Sequence, residues 1–413
     1  MVEISYEDLD DLILLKIFTY LPSRSLIRSM RVCKKWNRLI NEVIMSRKSY
    51  PESIFYKSES WSSNNLIERS NFTEEFDIQL EKLRSSPSLA LFFLNRPSNV
   101  NCFVNIDEEN KESTYHRSKR FKVSRKKSRL STLIKTYLNE NVNKLFIYGD
   151  GIVSSKQGEG IEIESDFEFP AFSGLFLPKS NSYRFVSKSF YQKTTLPELK
   201  TIEELNGFLG VQSDEELKYF LILIDGFSDS KLIPFLNKIN ELKKTINLRK
   251  SFTCSGGIVK QIDNDSGQRP KLVFLSLIAK NDSNVKVAQI IIKESTSHDF
   301  KSIWDEKMSL LKNTGVYNSN SLNSLAFQVS CCGRGKEYHS VDNLESNLFL
   351  KAFPNIPLIG FFGYGEIGAD FLPDYSTNNN KDYLGDLKVR DSVSQDITVT
   401  GFASIFTIIS LDT

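Results

Sequence analysis

Leu325-Ala-Phe-Gln-Val-Ser-Cys331-Cys-Gly333-Arg334-Gly335 and, further along, Pro357-Leu-Ile-Gly-Phe-Phe-Gly363-Tyr-Gly365-Glu366-Ile-Gly368 are two apolar runs of strand length. Each breaks into glycines around one charged residue. Glycine at such places lets the backbone take φ > 0 and lets a ligand or another chain segment come close. Each strand is therefore read as ending in a turn that presents its charge, Arg334 from the first and Glu366 from the second. Delivered in this way, the two side chains are expected to face each other or to bracket a zwitterion, guanidinium to carboxylate and carboxylate to ammonium.

Two other chemistries use the same residues. Gly363-Tyr-Gly365-Glu-Ile-Gly368 is a literal Gly-x-Gly-x-x-Gly after a strand, with Asp382 and Asp386 downstream as ribose-binding candidates. That fingerprint has to open a helix whose N-terminus holds the pyrophosphate. Here it runs into Ala369-Asp-Phe-Leu-Pro373 and an Asn run, which read as a loop, followed by a last strand over about Thr398 to Leu411. Cys331 and Cys332 beside Arg334 suggest a thiol of lowered pKa. A nucleophile needs a base, however, and His339 has no Asp or Asn arrangement to orient it. An inert strand-end thiol is the favoured reading, and Cys254 reads as core.

Outward from these motifs the texture is mixed. Lys144 to Tyr148, Tyr219 to Ile224, Leu272 to Ile278 and Val287 to Ile292 are β-rich runs of buried-strand length. Leu232 to Leu242 and Phe300 to Leu311 have helical spacing. This alternation predicts an α+β protein of mixed sheets flanked by helices. Leu89 to Leu94 reads as a further buried strand, and Phe72 to Leu83 as a helix. Between Arg117 and Arg129 lie Arg117, Lys119, Arg120, Lys122, Arg125, Lys126, Lys127 and Arg129 with no acid among them. The run reads as a nuclear-localisation or nucleic-acid patch or, in the favoured reading, as a solvated loop plus a polar helix face; with Phe121 its only aromatic, base stacking on single strands has little support.

The N-terminus is helical. In Leu9-Asp-Asp-Leu-Ile-Leu-Leu-Lys-Ile-Phe-Thr-Tyr-Leu-Pro22, apolar residues recur at helical spacing and Pro22 stops the run. Leu26, Met30, Cys33, Trp36 and Ile40 continue at steps of three or four. So small an apolar unit is expected to be completed by a partner. Domain bounds follow as 1–50 for this unit and 51–85 for a Ser- and Asn-rich linker.

Bulk properties remove several classes. The chain has 413 residues, net charge +2, five cysteines and three histidines. Sparse, odd cysteines point to reduced thiols in the cytosol or nucleus. His116, His298 and His339 are far apart, so no metal site is expected. No apolar run approaches the roughly 18 residues of a membrane span, and Glu3, Glu7 and Asp8 do not suit a signal peptide.

The Leu9 to Trp36 pattern resembles an F-box, the helical module that binds the adaptor of SCF-type ubiquitin ligases. It departs from the usual F-box in carrying Asp10 and Leu12 where Pro and an acid are common. A Pro there would suit the first helical turn, and Asp10 can favour the helix N-terminus in its stead. The Cys331-x-Gly-Arg-Gly335 and Gly360 to Gly368 motifs resemble the C-terminal half of the FIST domain, found in bacterial sensors and eukaryotic F-box proteins. The resemblance extends from about residue 86 to the end and implies two parts of the body, 86–280 and 281–413.

It implies a non-catalytic substrate-recognition subunit without cofactor. An adaptor and, through it, a cullin would be its partners, and the FIST part would capture target proteins for ubiquitination. Leu9, Ile13, Leu14, Ile17, Phe18, Leu21 and Trp36 would form the adaptor-binding set. Cys331, Gly333, Arg334, Gly335, Gly363, Gly365 and Glu366 would form a ligand or substrate pocket. A small-ligand sensor is the alternative, with a thiol-dependent enzyme behind it.

Overall fold

The computed structural model describes residues 10–21, 23–46, 50–57, 66–67, 69–81, 83, 87–95, 103–106, 126–138, 140–164, 171–191, 196–226, 232–245, 251–293, 299–317, 323–375 and 396–411. Leu9, Pro22, His116, His298, Asp382, Asp386 and the basic run from Arg117 to Arg125 lie outside them.

Helices α1 (Asp11–Tyr20), α2 (Ser23–Ser29) and α3 (Lys34–Ser46) come first. Then follow β1 (Glu52–Lys57), β2 (Leu66–Ile67), α4 (Arg69–Glu81), β3 (Pro87–Leu94), β4 (Phe103–Ile106), β5 (Lys126–Arg129) and α5 (Leu130–Tyr137). The next group is β6 (Asn143–Tyr148), β7 (Gly151–Lys156), β8 (Glu159–Glu164), β9 (Ala171–Pro178) and β10 (Tyr183–Phe190). Beyond it run α6 (Ile202–Leu209), β11 (Glu215–Asp225), α7 (Leu232–Lys244), β12 (Thr253–Val259), β13 (Gln261–Asn264), β14 (Leu272–Lys280), β15 (Lys286–Lys293) and α8 (Phe300–Lys312). Last are β16 (Ser324–Cys331), a 3-10 turn over Cys332–Arg334, α9 (Lys336–His339), α10 (Leu344–Ala352), β17 (Leu358–Gly368), β18 (Thr398–Thr400) and β19 (Ala403–Ser410).

Strand β3 explains the layering. Leu89, Leu91 and Phe93 join one apolar cluster while Ala90, Phe92 and Leu94 join another, so both faces are covered and the sequence runs apolar without a break. The first face meets a second sheet. The five-stranded sheet, in the order β1-β9-β3-β6-β13, packs on an eleven-stranded sheet whose main path is β10-β14-β11-β12-β17-β16-β19-β15. Outer faces are covered by helices: α4 and α5 on the small sheet, α6 and α7 on one half of the large sheet, and α8 and α10 on its other half. The α+β class read from the sequence holds.

Helices α1 to α3 form a separate small core of Leu14, Phe18, Leu26, Leu39, Ile40 and Val43. Asp10 caps α1, its Oδ1 accepting from Leu12 N–H at 2.7 Å. The helix therefore starts without the proline usual at that place.

Within 51–85, expected as a linker, β1 and α4 instead contribute to the body. Ile54, Phe55 and Tyr56 of β1 are buried against β9, and Phe76 and Leu80 of α4 are buried on the small sheet. The surrounding Ser and Asn masked this short apolar triplet.

Candidate functional site

Helix α1 is apolar on two sides. Leu14 and Phe18, one turn apart, point into the small core, where Phe18 meets Trp36 edge-on at 5.1 Å. Ile13 and Ile17, also one turn apart, are 52% and 46% exposed, and Leu12 and Tyr20 are 75% and 78% exposed. A helix apolar all round is normally buried all round. Among the adaptor-contact candidates, then, Leu14 and Phe18 are core rather than contact residues, because their side chains are enclosed by α3. Leu21 and Trp36 pack half-buried on that core, Ile13 and Ile17 are open, and Leu9 is outside the described residues. Leu12 and Tyr20, exposed on the same helix, were not among the residues singled out from the sequence.

Towards the C-terminus, β16 and β17 run parallel with Cys331 across from Gly363. The strand does not turn at Gly363 as expected. It continues to Gly368, and Gly365, at φ +75°, sits in a bulge opposite β12. The bulge shifts the alternation by one residue: Phe361 faces the sheet–sheet core, whereas Ile367 faces the helix-covered side. Glu366 is thereby turned inward and fully buried. Its Oε2 accepts from Ala403 N–H at 3.3 Å, while Oε1 has no hydrogen-bond partner among the described residues. Burial pushes its carboxyl up to about 7, with the Ala403 amide, the Cys331 thiol and Arg334 pulling the other way.

Arg334 takes a different partner from the one its motif suggests. It lies in the 3-10 turn after β16, buried, and donates Nη2 and Nε to Glu345 Oε1 at 2.6 and 3.0 Å. Further bonds run from Nε to Ser404 Oγ at 3.1 Å and from Nη1 to the Phe402 carbonyl at 3.1 Å. The guanidinium stands 5.9 Å from the Phe300 ring and 5.4 Å from the Tyr338 ring. His339 Nε2 completes the set at 2.9 Å from Glu345 Oε1. Burial alone would raise the Glu345 carboxyl, but the His339 hydrogen bond and the Arg334 charge hold it below the usual value. No hydrogen bond joins Arg334 to Glu366. Ser404, which anchors Arg334, lies next to Phe406 in the sheet alternation, on the helix-covered face of β19. Sequence offered no route to Glu345, since an acid in the first turn of a helix is common for dipole reasons alone.

Gly333 lies against the Phe402 ring, and Gly335 leaves room for the Glu164 carboxylate, whose Oε1 accepts from Lys336 N–H at 2.6 Å. Any side chain at Gly335 would collide with that carboxylate. Both cysteines are half-buried and free. The Cys332 thiol is pushed up to about 12, mainly by burial and then by Cys331 and Asp150, which makes it a poor nucleophile. Among the described residues no helix follows Gly368, so the dinucleotide fingerprint finds no helix N-terminus there. Among the described residues no cluster of three metal-ligating side chains exists, and no helix is long and apolar enough to cross a membrane.

Comparison with known proteins agrees with both motif readings. An F-box-like model matches residues 11–50 and a FIST C domain model matches residues 284–369. F-box only protein 22 from Homo sapiens and from Pongo abelii are each 25% identical over 374 residues, covering 86% of this chain and 83% of theirs. F-box/LRR-repeat protein 12 from Mus musculus is 57% identical over 35 residues, 8% of this chain and 11% of that protein. A crystal structure of cyanuric acid hydrolase from A. caulinodans overlays with a TM-score of 0.30 at 9% identity, covering 88% of this chain and 99% of that one, and carries no argument. The chain therefore carries an F-box-like domain at its N-terminus and a FIST C domain towards its C-terminus, and it is homologous to F-box only protein 22 over most of its length.

Proposed function

We propose that this protein is the substrate-recognition subunit of an SCF-type ubiquitin ligase. The F-box helices bind the adaptor and, through it, a cullin, and the FIST body holds a target protein. The observation that carries this reading is the second apolar stripe of α1, with Ile13, Ile17 and Tyr20 open to solvent beside a core that is already closed. A patch of that kind on a unit this small marks a protein interface. The subunit has no active site of its own and acts by bringing the target close to a ubiquitin-charged enzyme. Its sparse free thiols suit the cytosol or nucleus.

The test is co-purification of the full chain, and of a version lacking residues 1–50, with the SCF adaptor. Retention by the full chain alone is expected. Retention by both, or by neither, contradicts the reading.

Glu366 favours a second role for the FIST body, the sensing of a small ligand. A buried carboxyl with one unpartnered oxygen next to a half-buried thiol can receive a cationic or hydroxylated group. With Arg334 paired to Glu345, this reading rests on Glu366. Thermal stabilisation by amino acids or amines, lost in Glu366→Gln, would support it, the shift following RT ln(1 + [L]/Kd).

A further inference from the structure

Strand β1 is the outermost described strand on its side of the small sheet, and Phe55 on its free edge is closed by a side chain. In the antiparallel pairing with β9, Phe55 lies across from Ser173 and Ser53 across from Leu175. Phe55 N–H donates to Gln79 Oε1 at 3.1 Å, and the Phe55 carbonyl accepts from Gln79 Nε2 at 2.8 Å. The side-chain amide of α4 thus does for Phe55 what the peptide group of a neighbouring strand would do. Ser53 is two residues away, so its N–H and C=O point to the same side. Nothing among the described residues pairs with them there.

That open position faces a groove of about 440 Å³. One wall is α4, with Glu75 and the exposed Ile78. The other is the β7–β8 turn with Lys156, together with the segment Asn355–Pro357. The volume suits a few side chains. An acid on one wall and a base on the other give the groove no net sign, which fits a neutral main chain and not a polyanion. Exposed strand edges are usually blunted by prolines, charges or cover. Here the cover stops at Gln79 and leaves one backbone donor and one acceptor facing a cavity.

We propose that this groove takes an extended peptide segment of the captured protein, one residue of which pairs backbone to backbone with Ser53 while its neighbours pack on Ile78 and Ile356. This is recognition by strand addition, in which main-chain bonds hold the peptide and the groove selects side chains. It rests on the receptor reading and states where that receptor holds its target.

The test begins with a displayed library of random linear peptides, panned on the full chain without adaptor. Enriched peptides are synthesised and titrated against the parent chain, Ser53→Pro and Gln79→Ala. Proline is tolerated on a strand edge whose N–H faces away from the ladder, and an unchanged melting temperature checks that the fold is kept. Ser53→Pro is expected to weaken binding about tenfold, the loss of a backbone hydrogen bond plus the steric block. Gln79→Ala, which uncovers the Phe55 edge, is expected to bind at least as tightly as the parent. N-methylation of the peptide residue that pairs with Ser53 is expected to abolish binding. No enrichment, or peptides that bind Ser53→Pro as well as the parent, overturns the proposal. A chain that holds peptides through Ser53 but retains no adaptor leaves this site standing and overturns the receptor reading alone.

Discussion

The F-box helices and the FIST body solve the same problem, burying apolar surface, in opposite ways. In the body both faces of nearly every central strand are covered, the small sheet by α4 and α5 and the large one by α6, α7, α8 and α10. In the helical unit the core closes over Leu14 and Phe18, while a second stripe with Ile13 and Ile17 stays in water. The body's central strands are covered on both faces, while the helical unit leaves an apolar stripe exposed. The same contrast recurs between two buried acids. Among the described residues each leaves one carboxylate oxygen without a hydrogen-bond partner, but the other oxygen of Glu345 holds an arginine and a histidine, whereas that of Glu366 accepts from one backbone N–H alone.

The comparison can be broken most forcibly at Arg334. Arg334→Met leaves Glu345 buried with only His339, and breaking a buried pair from one side costs about 3–5 kcal/mol. Denaturant unfolding should show that loss. The double replacement Arg334→Met with Glu345→Leu should recover much of it, since it removes the stranded charge as well. In the helical unit, Phe18→Ala is expected to cost about 3–4 kcal/mol. Hydrogen exchange should then show α1 and α3 losing protection while β11 and β14 keep theirs. Equal loss in both regions would deny that the two cores are separate.

Glu366 sharpens the comparison through pH. Its folded pKa, about 7, lies above the ordinary 4.5, so the native state binds its proton more tightly than the unfolded chain does. The stabilisation is fully present below pH 4.5 and is lost as the pH rises through 7. Glu366→Gln should flatten that part of the stability–pH curve by about 3 kcal/mol. Glu162, which burial and then Glu345 also raise to about 7, contributes to the slope left over. The smallest expected effect is at the start of α1, where Asp10→Ala removes the cap for about 1 kcal/mol.

The layered body was legible because alternation and apolar runs are local signals: β3, β6, β11, β14, β15, α7 and α8 fall where the pattern puts them. Gly365 misled for a physical reason. The φ > 0 that a glycine permits serves a bulge as well as a turn, and only the register with β12 distinguishes them. The partner of Arg334 was illegible because Glu345 reaches it through the packing of α10 on the large sheet, a non-local fact. Sequence showed that α1 is apolar on two sides but not which side the small core would take, so Leu14 and Phe18 were grouped with Ile13 and Ile17. Nor did any residue pattern show that Gln79 would stand in for a peptide group beside Phe55.

The decisive measurement pairs adaptor retention with thermal unfolding for the full chain carrying Ile13→Glu and Ile17→Glu together. Both residues are exposed, so the melting temperature should stay within the range of surface substitutions, under about 0.5 kcal/mol each. Adaptor retention should disappear, because two carboxylates would be buried without partners in the complex. Undiminished retention by this stable variant would show that the open stripe of α1 is not the docking face.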